Sequence, residues 1–315
     1  MTTALQALEQ TLQQAIGASL VGMQPVVRSL TAAVVARGHV LVQGVPGLGK
    51  TLLSKTLAAA LGGSFKRVQG TADLMPSDIT GVHTFNATQS AFEFRAGPLF
   101  ADVLLFDEIN RASPKTQSAL LEAMEERQVS VDSHVYPLPR DFLVIATQNP
   151  RDFEGTYPLP ESQLDRFMLR LQLSYPSSAD ELEVLTRFAA MDDREMLARP
   201  VRALSASEIA AARQAATAIH VAPELNAYVL ALAKASREHS KLSLGLSTRG
   251  ALALLRTARV AAGLRGADYV TPDDVKSVLA SVVSHRLLLG ADALLEGITV
   301  EDVVLELADQ VAVPR

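Results

Sequence analysis

The stretch Gly44-Val45-Pro46-Gly47-Leu48-Gly49-Lys50-Thr51 completes a G-x-x-x-x-G-K-[ST] pattern. It has meaning only between a strand and a helix. It follows the apolar run His39-Val40-Leu41-Val42 and opens a helix-like stretch from Thr51 to Leu61, which Gly62-Gly63 stops. Glycines there let successive backbone N–H groups turn inward around a polyphosphate, and the helix N-terminus adds partial positive charge. Residues 44–52, from Gly44 through Leu52, are therefore expected to cradle a nucleotide. Lys50 would reach the β- and γ-phosphates, and the Thr51 hydroxyl would ligate Mg²⁺. The bland alternative is a glycine-rich turn, which the flanking strand and helix disfavour.

A second feature narrows the chemistry. Val103-Leu104-Leu105-Phe106 is a short, wholly apolar run ending in Asp107-Glu108, the pattern of a parallel strand buried on both faces. Two carboxylates then stand at the carboxyl end of a strand, where open α/β sheets place their ligands. Asp107 is suited to the Mg²⁺ shell, and Glu108 to polarising the water that attacks the γ-phosphate. Together these are a Walker A and Walker B pair of an additional-strand ATPase. No Asn-Lys-x-Asp reads guanine, so ATP is the expected nucleotide.

Composition excludes several other classes. No stretch reaches the roughly 18 uninterrupted apolar residues of a membrane span, and the first residues lack a basic segment followed by an apolar one. The chain has no cysteine, which excludes thiol chemistry and fits a reducing, cytoplasmic compartment. A net charge of −5 gives no footprint for nucleic acid. The six histidines are scattered without metal-ligand spacing and read as structural or surface residues.

The 315 residues suggest two domains. Leu5, Leu8, Leu12 and Ile16 recur at helical spacing and lead into Leu20-Val21-Gly22. Beyond the strand before the loop, Phe65–Val68, Val103–Phe106, Phe142–Thr147 and Phe167–Leu173 read as strands. Helices lie between several of them, including Pro114–Glu126 with Ser113 as its cap. Alternation of this kind means a parallel sheet with helices on both faces. After Tyr175-Pro176 the strand signal stops, and Ser178-x-x-Glu181, Ser205-x-x-Glu208 and Thr271-Pro272-Asp273-Asp274 each precede an Ala/Leu-rich helical run. The expected division is an α/β P-loop NTPase core over residues 1–174 and an all-helical lid over 175–315.

The residues resemble the MoxR-type AAA+ ATPases. The matching stretches are Gly44–Thr51, Asp73–Gly81, Gly97-Pro98-Leu99-Phe100, Asp107–Ala112, Ala146-Thr147-Gln148-Asn149-Pro150, and Gly155–Glu161 leading into Leu164-Asp165-Arg166-Phe167. The likeness runs through most of the first 170 residues and more weakly through the helical part. It implies an AAA+ core with a helical lid, a ring of copies that is usually hexameric, and a chaperone-like role on a protein client. A partner carrying a von Willebrand factor A domain often accompanies such proteins. The chain departs from the usual pattern at Gly70 and Ala72 after the second strand, at Arg151-Asp152-Phe153, and around the lid motif Ser247-Thr248-Arg249-Gly250. A nucleic-acid motor or clamp loader of the same superfamily and a nucleotide-binding scaffold without turnover are the competing readings.

Further site residues combine position with resemblance. Asn149 follows the apolar strand Phe142–Ala146, so its amide would hold the attacking water as sensor 1; an ordinary Asn-Pro turn is the alternative. Arg249 stands at the start of a helix from about Thr248 to Ala262 capped by Ser247, where a cation opposes the dipole unless an anion such as the γ-phosphate compensates. That is the sensor 2 role, against a solvated surface arginine. Arg166 lies between a short helix opened by Pro158-Leu159-Pro160 and the strand Phe167–Leu173, at a corner expected to be exposed. The resemblance makes it an arginine finger acting on the neighbouring copy's nucleotide; the alternative is an arginine neutralising helix-end carbonyls. Val21, Gly22 and Gln24 resemble the segment that packs on adenine, or form an ordinary helix-to-loop junction. Residues 73–95 read as a hairpin insert turning near Asn86-Ala87-Thr88, either touching the client or merely solvated. Arg111 would meet a neighbouring copy or the nucleotide network, or form a structural salt bridge.

Overall fold

The computed structural model describes residues 3–45, 47–149, 155–189 and 202–314. Pro46 of the phosphate loop, and Pro150 with Arg151-Asp152-Phe153, lie outside the described residues. A five-stranded parallel sheet forms the centre, built from β1 (His39–Gly44), β2 (Phe65–Gln69), β5 (Val103–Asp107), β8 (Leu143–Gln148) and β9 (Phe167–Leu173). Its order is β2-β5-β8-β1-β9, so every strand expected from the sequence joins the same sheet. β8 lies between β1, which feeds the phosphate loop, and β5, which ends in the acidic pair. This inserted strand is what the additional-strand arrangement requires.

Side-chain alternation divides the sheet's two faces. Val40, Val42, Val103, Leu105, Leu143 and Ile145 point into one apolar cluster, with helices Ala4–Gly17, Gln24–Ala36 and Lys50–Ala60. Leu41, Leu104, Phe106, Val144 and Ala146 point into the other, covered by helix Pro114–Glu126. Both faces being covered explains why these strands read as continuous apolar runs. Ser113 caps that helix by accepting the Thr116 N–H, as its sequence suggests.

Two antiparallel hairpins project from the sheet's framework: β3 (Gly81–Asn86) with β4 (Ala91–Ala96), and β6 (Gln128–Val131) with β7 (His134–Pro137). The first is the insert expected at 73–95. The second turns through Asp132 and Ser133, at φ 47° and 70°.

Among the described residues the second half is mostly helical from Ser178 onward, with a short antiparallel pair, β10 (Leu242–Leu244) and β11 (Leu288–Leu289), and an isolated bridge between His220 and Tyr269. Capping boxes at Ser205/Glu208 and Thr271/Asp274 start their helices as expected. Helix Ser178–Phe188 differs: Ser177, not Ser178, caps it by accepting the Asp180 N–H. Ser177 is extended at ψ 156°, the backbone state in which a serine hydroxyl can accept from the first helical turn. The N-terminal helix Ala4–Gly17 carries a Thr3–Gln6 capping box and packs on lid helices, with Leu5 lodged against Gly263. Among the described residues no helix is long and apolar enough to cross a membrane.

Candidate nucleotide site

At the carboxyl edge of the sheet, the phosphate loop bends from β1 into helix Lys50–Ala60. Gly49 takes the N-cap position at φ 74°, a backbone state that side chains disfavour. No side chain caps this helix, so its first N–H groups are left for an anion. The Lys50 ammonium donates to the Gly44 carbonyl at 2.7 Å across the loop. Burial pulls its pKa below the usual lysine value, while the nearby Asp107 and Glu108 carboxylates oppose that pull. Gly44, Val45, Gly47, Leu48, Thr51 and Leu52 stand in the loop and first helical turn as expected. Leu20 reaches Gly49, which brings the Val21-Gly22 segment beside the loop. Val21 is buried, and Gly22 faces the Asp180 carboxylate of the lid.

Two strands away, Asp107 and Glu108 are held by side chains on both flanks. Asp107 accepts from Arg67 at 2.6 Å on one oxygen and from the Thr147 hydroxyl at 2.6 Å on the other. Thr147, fully buried on β8, also accepts the Glu108 backbone N–H at 2.8 Å. Glu108 is left-handed at φ 57°. Its carboxylate accepts from Gln69 Nε2 at 2.9 Å and pairs with Arg111 Nε at 3.3 Å, which ties Arg111 to the acidic pair. Asn149 follows β8 directly, at the edge between the loop strand and the acidic strand. Thr147, Arg67 and Gln69 were not singled out in the sequence. The signal for Thr147 was a hydroxyl ending an apolar strand beside Asn149.

Gly70 explains one departure from the family pattern. Its N–H donates to the Asp107 carbonyl at 2.7 Å, and a Cβ there would lie 2.2 Å from the Glu108 carbonyl oxygen. The acidic turn closes on β2 so tightly that only glycine fits.

The donor set suits Mg²⁺. No group of three or more His, Asp or Glu side chains that could hold a metal occurs among the described residues. Mg²⁺ at a phosphate site needs only one or two protein oxygens, with waters and phosphates completing the octahedron. Thr51 and Asp107 would be such a pair.

Arg166 and Arg249 are elsewhere. Both lie at the amino edge of the sheet, and both converge on Glu125, near the end of helix Pro114–Glu126. Arg166 Nε is 3.0 Å from Glu125 Oε2, and Arg249 Nη2 pairs with Oε1. The expectation for Arg166 needs correction: its side chain is only 30% exposed, because Glu125 supplies a partner that the local sequence did not reveal. For Arg249, the compensating anion in this chain is a carboxylate and not the chain's own nucleotide site. A strand rise of ~3.3 Å puts this edge roughly 17 Å from the loop along β1. Helix Thr248–Leu264 does start at the Ser247 cap as expected.

Asp165 fixes the lid at this edge. Its carboxylate accepts from Arg286 Nε at 2.7 Å and from the Ser247 hydroxyl at 2.8 Å. Arg286, itself buried, also donates to the Phe167 carbonyl at 2.6 Å. Between core and lid lies a cavity of about 420 Å³, lined by six arginines, including Arg166, Arg249 and Arg256, and by only two carboxylates, Glu125 and Asp165.

The chain is similar to known proteins along most of its length. Residues 39–169 match the "ATPase family associated with various cellular activities (AAA)", and residues 234–307 match the "AAA lid domain". The uncharacterised protein YeaC of Bacillus subtilis is 43% identical, covering 94% of this chain and 91% of that protein. Chaperone MoxR1 of Mycobacterium tuberculosis is 39% identical, covering 94% and 80%. The crystal structure of a candidate ATPase from Cytophaga hutchinsonii superposes with a TM-score of 0.89 at 35% identity, covering 99% and 97% of the two chains. A phosphate loop, an acidic pair set off by one inserted strand, a helical lid and likeness along nearly the whole length converge on one conclusion: the chain belongs to the MoxR family of AAA+ ATPases.

Proposed function

We propose that the chain hydrolyses Mg·ATP at sites completed by a neighbouring copy, within a head-to-tail ring that remodels a protein client. The observation that carries this reading is the separation of two halves of one catalytic set. Lys50, Thr51, Asp107, Glu108 and Asn149 occupy the carboxyl edge of the sheet, while Arg166 and Arg249 meet at the amino edge. One chain cannot bring them onto the same phosphate. A neighbour rotated about a ring axis can, and such a heterologous contact closes into a ring. Six copies are what the family likeness implies.

In this reading Lys50 meets the β- and γ-phosphates, and Thr51 and Asp107 hold the metal, which when bound neutralises phosphate charge. Glu108 orients the attacking water and takes its proton, and Asn149 holds the same water from the adjacent strand. To do so the Glu108 carboxylate must leave Gln69 and Arg111. The neighbour's Arg166 and Arg249 add positive charge where the transition state gathers negative charge, worth on the order of 10³-fold.

Work on a client fits the β3–β4 hairpin, which exposes Phe85 and Phe92 in an edge-to-face pair with centroids 5.4 Å apart. An apolar tip of this kind suits a polypeptide. Phe94 stacked on Tyr136 at 3.9 Å, with His83 bonded to Asp132 and Tyr136, ties this hairpin to the β6–β7 hairpin. A cytoplasmic setting and a partner with a von Willebrand factor A domain complete the proposal. The test is Arg166→Ala: ATP binding is retained and phosphate release is largely lost. Full turnover in that variant would refute the composite site.

A further inference from the structure

Two guanidiniums repel each other, yet Arg166 and Arg249 point at the two oxygens of a single carboxylate. Glu125 sits near the C-terminal end of helix Pro114–Glu126, where the helix dipole disfavours a negative charge. The helix gains nothing from it there. What the carboxylate does is gather two cations that belong to different parts of the chain, one ahead of β9 and one on the lid. A carboxylate and a phosphate offer a guanidinium the same paired oxygen acceptors. Glu125 therefore engages, within the chain, the two charges that a neighbour's γ-phosphate would meet: it accepts a hydrogen bond from Arg249 and forms an ion pair with Arg166, whose buried Nε makes no hydrogen bond of its own.

We propose that Glu125 is a positioning residue of the composite site, a built-in substitute for phosphate that holds Arg166 and Arg249 together and yields them to the ATP of the adjoining copy. This rests on the trans reading above. The cavity's surroundings fit such an exchange. Arg256, seven residues beyond Arg249 on the same helix, lines the same cavity, is exposed and has no ion pair among the described residues. It stays available to attract an incoming polyanion while Glu125 holds the other two. The remaining carboxylate, Asp165, is committed to Arg286 and Ser247 and does not compete.

Glu125 thus sets how readily copies and nucleotide assemble, because its two ion pairs must be given up first. Each pair is only partly shielded from water, so the combined effect is modest, about three- to tenfold. The experiment measures phosphate release per chain against protein concentration at saturating Mg·ATP, for the full-length parent, Glu125→Gln and Glu125→Asp. Glu125→Gln keeps shape and removes charge, so half-maximal turnover is expected at about three- to tenfold lower protein concentration, with a steeper loss of turnover as salt rises. Glu125→Asp keeps the charge and is expected to stay near the parental midpoint. A parental or higher midpoint for Glu125→Gln, with or without lower maximal turnover, overturns the proposal, since Glu125 would then only orient the arginines. An equal shift in Glu125→Asp would also overturn it, because packing and not charge would be responsible. Turnover per chain that does not vary across a concentration range in which sedimentation shows the parental ring coming apart would remove the trans reading and this inference together; a parent that varies while Glu125→Gln does not move removes only the inference.

Discussion

The Thr147 hydroxyl donates to the Asp107 carboxylate at 2.6 Å while accepting the backbone N–H of the next residue, Glu108, at 2.8 Å. One buried side chain on the inserted strand thus sets both halves of the acidic pair. Thr147→Val keeps the β-branched shape but leaves a part-buried N–H without its partner. Such losses cost about 1–3 kcal/mol. Denaturant unfolding is expected to register that loss, and phosphate release should slow while ATP binding persists. Parental stability together with parental turnover would show that the bridge has no role.

Gly70 makes a sharper steric prediction. Any side chain there meets the Glu108 carbonyl, since an added Cβ would be 2.2 Å away. Gly70→Ala must push the acidic turn away from β2, at about 1–3 kcal/mol for an overpacked site. Slower hydrolysis should accompany the lower stability. An alanine variant that melts and turns over like the parent would mean the turn has slack.

Much of this was legible in the chain itself, and the remainder has physical reasons for being hidden. The strands ending at Gly44, Asp107 and Gln148 announce themselves because burial on both faces demands unbroken apolar runs, and the capping boxes at Ser205 and Thr271 because they are local. The β6–β7 hairpin was missed since its turn uses Asp132 and Ser133 in left-handed conformations without the glycine that usually marks them. Helix Gln24–Ala36 is harder to read because Leu30 through Val35 are buried as one continuous run, with Arg28 the nearest exposed residue on its amino side. β10 and β11 are three and two residues long, too short for any periodicity. The meeting of Arg166 and Arg249 on Glu125 depends on where the lid docks. Residues far apart in sequence decide that, through Asp165, Ser247 and Arg286.

Acid should weaken the fold through His39. Its Nδ1 accepts the Val144 N–H at 3.0 Å, so the ring proton is on Nε2, 3.2 Å from the Met124 carbonyl. Burial, helped by the nearby Arg127 charge, lowers its pKa from 6.5 to about 3. The folded state therefore favours neutral imidazole, and its stabilising effect is complete above pH 6.5. Between pH 6.5 and about 3 the unfolded chain takes up a proton that the folded chain refuses, so this contribution is lost at up to about 1.4 kcal/mol per pH unit. Urea unfolding at pH 7 and pH 5 should show the decline, with a shallower slope in His39→Gln. Equal slopes in the two proteins would contradict the assignment.

Lys50 is the only cation inside the phosphate loop. Lys50→Ala should weaken ATP binding by at least an order of magnitude, allowing about 1.5–3 kcal/mol for a hydrogen bond to a charged group. Calorimetric titration checks it, and near-parental affinity would move the nucleotide elsewhere.

The most direct test of the composite site uses two variants, each disabled at a different edge. Glu108→Gln should bind Mg·ATP with little turnover, and Arg166→Ala likewise. Mixed under conditions where labelled chains are shown to exchange, they create contacts in which an intact Glu108 faces an intact Arg166 from the adjoining copy. Phosphate release by the mixture should then rise above the sum of the two separate variants. Exchange without any such gain would contradict a site shared between neighbouring copies.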